Sequence, residues 1–410
     1  MKDTQLQEER RHRIWFFFTL MYLVIDYGRP QDILPIGDLR PGMIIILILS
    51  LFLLFHGRIR EFSNKQMKMI AFFIILLGLY VPFARNNYFA FLATKDMLTF
   101  VPFILSISIC ITSIKRLKNV FLVSVCLLIY ISGYALFNNG VGSGNYFHDE
   151  NDISLFINMW LPFCYFLFFL EKDRLHKFIY LTGLITGLSS VIVSFSRGGF
   201  VGLLCVSLVC WFYSSRKILS LLPIFLLAVV VILVASDRYW ERMGTIQEVQ
   251  EGTAALRIES WKAGWNMFLD NPLGVGGNNF QVRFPEYQTD YFRRDMWGRA
   301  AHSLWFTLIP ELGIIGISIY FLLIKYNLKD IVYLRKLNNR KTDRSSELQY
   351  LHTLSGAFIA SLAGYFSSGT FLSVLYYPHY WYMTGILVAT TRVAERLLRD
   401  AGRATPAAVN

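Results

Sequence analysis

Charge is scarce in this chain. Of its 410 residues only 17% are Asp, Glu, Lys or Arg, against 54% hydrophobic and 16% aromatic. So little polar surface excludes both a disordered chain and an ordinary solvated domain, and it points to an integral membrane protein. Cysteine is scarce as well. Cys110, Cys126, Cys164, Cys205 and Cys210 all fall in apolar runs, without metal-ligand spacing and without a paired framework in a polar loop. Neither a zinc site nor a disulfide scaffold is expected, and the thiols read as small packing groups. No tandem repeat and no nucleotide-binding motif is found. The net charge of +12 does not imply nucleic acid, because the cations sit between hydrophobic stretches.

What the chain has in abundance is long apolar runs. Twelve can be counted, at about 14–26, 41–56, 69–83, 97–112, 120–137, 153–170, 178–195, 198–213, 218–235, 303–324, 350–370 and 376–393. The expected fold is therefore all-α and polytopic, with about twelve transmembrane helices. Arg10, Arg11 and Arg13 precede the first stretch as in a signal sequence, but no small-residue cleavage site follows, so an uncleaved first span is expected. With the N-terminus inside, inner segments hold 27 of the 40 Lys and Arg residues; eight of the 13 outer ones lie in a single long loop. Long loops follow the positive-inside rule poorly, so the asymmetry of the short ones decides, and both termini are placed in the cytoplasm. The expected division is 1–235 for helices one to nine, 236–302 for a periplasmic loop domain, 303–393 for helices ten to twelve and 394–410 for a tail. The tail's "AGRATPAAVN" is expected to be disordered. The basic inner loop at 325–349 is expected to act in topology, with contacts to anionic lipid.

Residues 194–202, "SFSRGGFVG", interrupt one of these runs. Phe178 to Tyr213 carries only one charge between its ends, Arg197. As a single helix the run would be about 54 Å long, far beyond a ~30 Å hydrocarbon core. It reads as two short spans joined by a tight turn at Ser196–Gly199, with Arg197 at the outer tip and two glycines supplying freedom for the turn. A cation at a helix N-terminus is electrostatically misplaced unless an anion binds there. The plain alternative is an arginine that snorkels or caps the loop.

The 236–302 loop holds eight basic and nine acidic residues, so any anion site in it must be local. Eleven of its residues are aromatic, among them Trp240, Trp261, Trp265 and Trp297. Such rings suit sugar faces, but they equally suit packing at a membrane interface. Arg257, Trp261, Trp265 and Phe268 recur at helical spacing and share a face; Asn271–Pro272 stops that helix, and Gly274, Gly276 and Gly277 form a turn. Arg257 is a candidate second anion ligand, or an arginine stacked on indoles. His302 opens the next apolar stretch and suits proton transfer, although a lone interfacial histidine is also commonly structural. Glu311, further along that stretch, reads as a helix–helix hydrogen-bonding residue. Before the sixth stretch, His148, Asp149, Glu150 and Asp152 offer hard ligands for a divalent ion, but four residues so close in sequence cannot all face one ion. A helix N-cap by Asn151 or Asp152 is simpler, and no metal is expected.

Four pieces in order, "NDISLF", "SRGGFVG", Arg257…Trp261 with "NPLGVGGNNF", and "HSLWFTLIPELGIIG", resemble the O-antigen ligase and polymerase-like membrane glycosyltransferases. The layout, with a large outer loop before the tenth span, is similar too. One departure is Ser303, where the family often has Asn. The resemblance implies a GT-C-like fold in the bacterial inner membrane, acting at its periplasmic face. It implies a glycan on undecaprenyl diphosphate as donor and lipid A-core or another glycan as acceptor, with no nucleic acid and no cofactor. Arg197 and Arg257 would hold the donor diphosphate and His302 would be the catalytic base. Trp261, Trp265, Gly276, Gly277 and Asp152 would support glycan or loop. Within the family, a polysaccharide polymerase or a protein O-oligosaccharyltransferase is the alternative. Outside it, a lipid-linked glycan flippase is the rival, although transporters gather their ionisable groups near the membrane midplane.

Overall fold

A computed structural model of the chain describes residues 2–32, 34, 39–57, 63–138, 140–142, 144, 146–147, 149–194, 196–214, 216–218, 225, 228–229, 255–288, 296–339 and 345–403. Among the described residues every regular element is helical. Eleven of the twelve expected apolar stretches fall on helices: α1 (Lys2–Gly28), α2 (Pro41–His56), α3 (Lys65–Tyr80), α4 (Asn87–Cys110), α5 (Ile114–Phe137), α6 (Glu150–Leu170), α7 (Arg174–Val193), α8 (Arg197–Tyr213), α11 (Leu304–Arg335), α12 (Ser345–Gly369) and α13 (Pro378–Arg403). Between them, 255–270 forms α9 and Phe280–Arg283 forms the short α10. The stretch expected at 218–235 lies largely outside the described residues. So do His148, Arg238, Trp240, Arg242, Arg293 and Arg294, the 340–344 part of the basic loop and the tail from 404.

The sequence marks its own helix starts. Asn64, Asn86, Ser113, Asp149, Asp173, Ser196 and Ser303 each accept a hydrogen bond from a backbone N–H of the first turn they precede, satisfying donors the helix cannot pair itself. Among the described residues α4, α5, α6, α7 and α11 are long and apolar enough to cross a membrane, while α2 and α8 are apolar but shorter. The outward faces are apolar as well, with Leu54, Phe55, Leu79, Leu204 and Phe321 exposed. So many large apolar side chains on the outside of apolar helices belong in hydrocarbon.

α6 is the hub. All its side chains from Asp152 to Leu167 are buried, and it packs on α5, α7, α8 and α12. The chain does fold back between α7 and α8, but α7 ends at Val193 and α8 begins at Arg197, so of Ser196–Gly199 only Ser196 lies outside a helix. Gly198 and Gly199 are therefore not turn residues. They belong to the first turn of α8, and with Gly202 they let its backbone close on α6 and α12. A methyl group at Gly199 would stand 2.5 Å from Ser154 Cβ, and one at Gly202 would collide with Ser368 and Asn158. Small residues at a helix crossing, with polar groups bridging it, are the usual solution where apolar solvent gives no drive for association. Here Asn158 Nδ2 donates to Gly199 O at 2.9 Å and to Ser368 Oγ at 3.0 Å.

α11 is not continuous. Pro310 lies inside it and Gly313 breaks it, with φ 59° and ψ −161°. The segment 272–280 fills the break. Val275 N donates to Pro310 O at 3.0 Å, Gly276 N to Glu311 O at 2.8 Å, and Ile314 N to Pro272 O at 2.9 Å. The Glu311 side chain, 2% exposed, completes the joint by accepting from Asn278 N at 2.9 Å, Phe280 N at 3.0 Å and the Tyr376 hydroxyl at 2.6 Å. So Glu311 is not a plain helix–helix bond; it fastens a loop backbone into a helix break. Gly274 (φ 107°) and Gly313 are required there, because a Cβ on either would meet the opposing backbone. Ala263, Met267, Val275, Phe280, Phe284, Met296 and Ala301 form a second, smaller apolar cluster over this joint, with Phe306 of α11 packed against it.

Candidate functional site

The beginnings of α6, α8 and α11 and the described part of α9 lie close together at one end of the bundle, and the candidate residues sit there. Arg197 is the first residue of α8, exposed, directly after the Ser196 cap. Arg257 lies on α9, two residues into its described part, and is half-buried. His302 immediately precedes Ser303, the cap of α11. Asp149 caps α6, accepting from Asn151 N at 2.8 Å and Asp152 N at 3.0 Å, so the cap is neither Asn151 nor Asp152. Each helix start carries roughly half a positive charge on its unpaired N–H groups.

Hydrogen bonds and rings tie these starts together. Ser196 Oγ donates to Asn151 Oδ1 at 2.6 Å while accepting from Gly199 N at 2.9 Å, and Ser154 Oγ meets Ser194 Oγ at 3.0 Å, so the beginnings of α6 and α8 are fastened side by side. Phe371 packs beside Gly198, and its ring lies 6.5 Å from that of Trp261. Trp261 stacks on Phe306 at 5.4 Å and donates from Nε1 to Ala301 O at 3.1 Å. One indole thereby links α9 to the residues on both sides of His302.

The electrostatics show the same convergence. The pKa of Arg257 is pulled below its usual value by burial, then by the nearby Arg299 and Arg197 cations, with Asp149 opposing. That of His302 is lowered by burial, then by Arg299 and Arg257, again against Asp149. Arg257 thus feels Arg299, Arg197 and Asp149, and His302 feels Arg299, Arg257 and Asp149. The Nε of Arg257 is buried and makes no hydrogen bond. His302 adopts φ 45°, a left-handed conformation uncommon outside glycine that tends to cluster at functional sites. A neutral imidazole can accept a proton, and the guanidinium groups around it disfavour its charged form.

The structure brings Arg197, Arg257, His302 and Trp261 together. Of the other candidates, Trp265, Gly276 and Gly277 lie apart, while Asp152 is in the first turn of α6, its N–H donating to Asp149. Trp265 is 48% exposed and pairs with Phe268. Gly276 and Gly277 are buried against Ala84, Leu77 and Ala93, the surroundings of a docked loop. Asp152 is 6% exposed on α6, near Tyr377. Sequence reasoning passed over Arg299, which belongs to no motif and was one of eight loop cations. Its position three residues before His302 was the available signal. Ser303 acts as a helix cap, accepting from Phe306 N.

Residues 182–321 match the family model described as O-antigen ligase. The matched stretch runs from the middle of α7 through the break in α11 and contains Arg197, Arg257, Arg299, His302 and Glu311; Asp149 and Asp152 lie before it. No curated protein matches the chain. With its apolar helices, the chain is a membrane protein similar over this stretch to O-antigen ligases.

Proposed function

We propose, from that similarity, that the chain is a glycosyltransferase of the O-antigen ligase type, moving a glycan from a polyprenyl diphosphate, undecaprenyl diphosphate in bacteria, to a sugar hydroxyl of lipid A-core. The observation that carries this reading is the convergence of Arg197, Arg257 and His302 at one end of the bundle. Arg197 and Arg257 bind the donor diphosphate. The acceptor hydroxyl oxygen attacks the anomeric carbon, the bond from that carbon to the diphosphate oxygen breaks, and its electron pair leaves on the diphosphate. His302 takes the hydroxyl proton. A single displacement of this kind inverts the anomeric centre. Donors aimed at charge that develops in the transition state are worth about 3–4 kcal/mol each. A positioned base adds about 10²–10⁴-fold. The similarity and the charge asymmetry of the short loops favour twelve spans, a GT-C-like arrangement and a site at the periplasmic face.

The test is reconstitution of the purified chain with an undecaprenyl-diphosphate glycan and a panel of acceptors, with the products weighed by mass spectrometry. The reading expects glycan joined to lipid A-core, and loss of that product in Arg197→Ala, Arg257→Ala and His302→Ala proteins that still run as folded species. Normal transfer by both arginine variants would overturn the diphosphate assignment. Movement of the lipid-linked donor across the bilayer, without transfer, would replace the enzyme with a transporter.

A further inference from the structure

At the opposite end of α6 and α8 lies a cavity that the transfer reaction does not use. α8 is 17 residues long, so this cavity lies about 25 Å along the helix from Arg197. Its volume is about 230 Å³, and it is lined by Tyr165, Phe166, Phe169 and Leu170 of α6, Tyr213, Ser214 and Arg216 at the end of α8, Arg335 at the end of α11, and Gln349, His352 and Thr353 of α12. No carboxylate is among these residues.

The lining is built rather than incidental. Arg335 lies over the Tyr213 ring at 4.5 Å and Arg216 over the Phe169 ring at 5.1 Å. A guanidinium over an aromatic face can still offer N–H groups to another acceptor, and its planar fork matches phosphate oxygens. The Tyr165 hydroxyl and Ser214 Oγ are 2.9 Å apart, and His352 Nδ1 is held by Arg335 O at 2.8 Å. Cations after helix ends are usual because they complement the negative end of the dipole. That accounts for each arginine separately, but not for two of them meeting with a histidine around one hollow that has aromatic walls. Ligand pockets for whole small molecules run to about 300–1,000 Å³, so this hollow is the size of a headgroup rather than of a complete ligand.

We propose that this cavity binds the phosphate headgroup of an anionic phospholipid, with Arg216 and Arg335 as the anion ligands and Phe166, Phe169 and Leu170 against the first part of the lipid's apolar portion. The sidedness deduced from charge puts it in the cytoplasmic leaflet, where basic pockets between spans recognise such headgroups. The site is independent of the transfer reaction.

The test uses the full chain in nanodiscs of phosphatidylcholine with or without phosphatidylglycerol, read by native mass spectrometry after mild delipidation and by thermal unfolding. The proposal expects at least one phosphatidylglycerol retained per chain and a higher unfolding temperature with that lipid. Both effects are lost in Arg216→Gln/Arg335→Gln, and also in Thr353→Trp, which fills the hollow without changing charge. The control Lys325→Gln/Lys329→Gln removes two exposed cations of α11 outside the cavity and keeps both effects. Equal loss in the control would mean diffuse attraction to a charged bilayer and would overturn the proposal, as would retention in Thr353→Trp. Inorganic phosphate giving the same stabilisation in pure phosphatidylcholine would also overturn it, leaving an anion site that is not a lipid site.

Discussion

Glu311→Ala is the most informative single change. The carboxylate is buried and accepts three hydrogen bonds, from Asn278 N, Phe280 N and the Tyr376 hydroxyl. Alanine strands the buried Phe280 N–H and removes the acceptor of the part-buried Asn278 N–H and Tyr376 hydroxyl. At about 1–3 kcal/mol for the buried donor and the low end of that range for the other two, the variant loses on the order of 3–5 kcal/mol. Thermal shifts per kcal/mol fall with chain length, to about 2–4 °C at 150–250 residues and less here, so a fall of about 5 °C or more is expected. Glu311→Gln is milder: its one acceptor oxygen serves a backbone amide, and the Tyr376 oxygen can accept from its NH2, which leaves about one donor unpaired. The ordering wild type, Gln, Ala should appear in unfolding temperature measured in detergent. Glycan transfer should fall in the same order, because the joint orients α9 and with it Arg257. If Glu311→Ala unfolds at the wild-type temperature, the three hydrogen bonds do not hold the loop and the reasoning fails.

Other outcomes follow from the same coordinates. Burial, Arg299 and Arg257 lower the pKa of His302 below its ordinary value near 6.5, so the neutral base persists into mildly acidic solution. Arg299→Gln removes one of those cations and raises that pKa, so the acidic limb of the kcat/KM profile should move to higher pH while the rate at pH 8 changes much less. Gly202→Ala should destabilise by about 1–3 kcal/mol through overpacking against Ser368 and Asn158, read as a lowered unfolding temperature. Ser303→Asn keeps a capping oxygen but adds volume at a fully buried position, so it should lose about 1–3 kcal/mol, read as a lowered unfolding temperature. Arg257→Lys keeps the charge but loses the fork, so transfer should fall by at least about tenfold.

Much of this was legible in the sequence, for identifiable reasons. Apolar run length and the paired Lys–Arg segments marked the helices, because hydrocarbon tolerates no other open backbone. The hairpin at Arg197 followed from a length no single span needs. The role of its glycines did not follow, since a glycine at a turn and a glycine at a helix crossing read alike until the partner helix is known. Asp149 was hidden as a cap because three neighbouring polar residues offered the same chemistry. Arg197, Arg257 and His302 could be singled out as rare polar groups sharing one side by charge counting, but the approach of Asp149 to Arg257 and His302 depends on folding across more than a hundred residues. The break in α11 was written in Pro310 and Gly313. What fills it was not, because the match is between backbones, and backbones leave no trace in side-chain pattern.

That filled break constrains how the polypeptide can be assembled. α11 borrows its missing rungs from residues some forty positions upstream, so a fragment beginning at Leu304 would carry open carbonyls at Pro310 and Glu311 and an open amide at Ile314. Unpaired groups of this kind cost several kcal/mol apiece in hydrocarbon. Co-expression of the two halves should restore the second half only when the first half extends through Phe280, which makes the segment before α11 an internal chaperone for the helix that follows it.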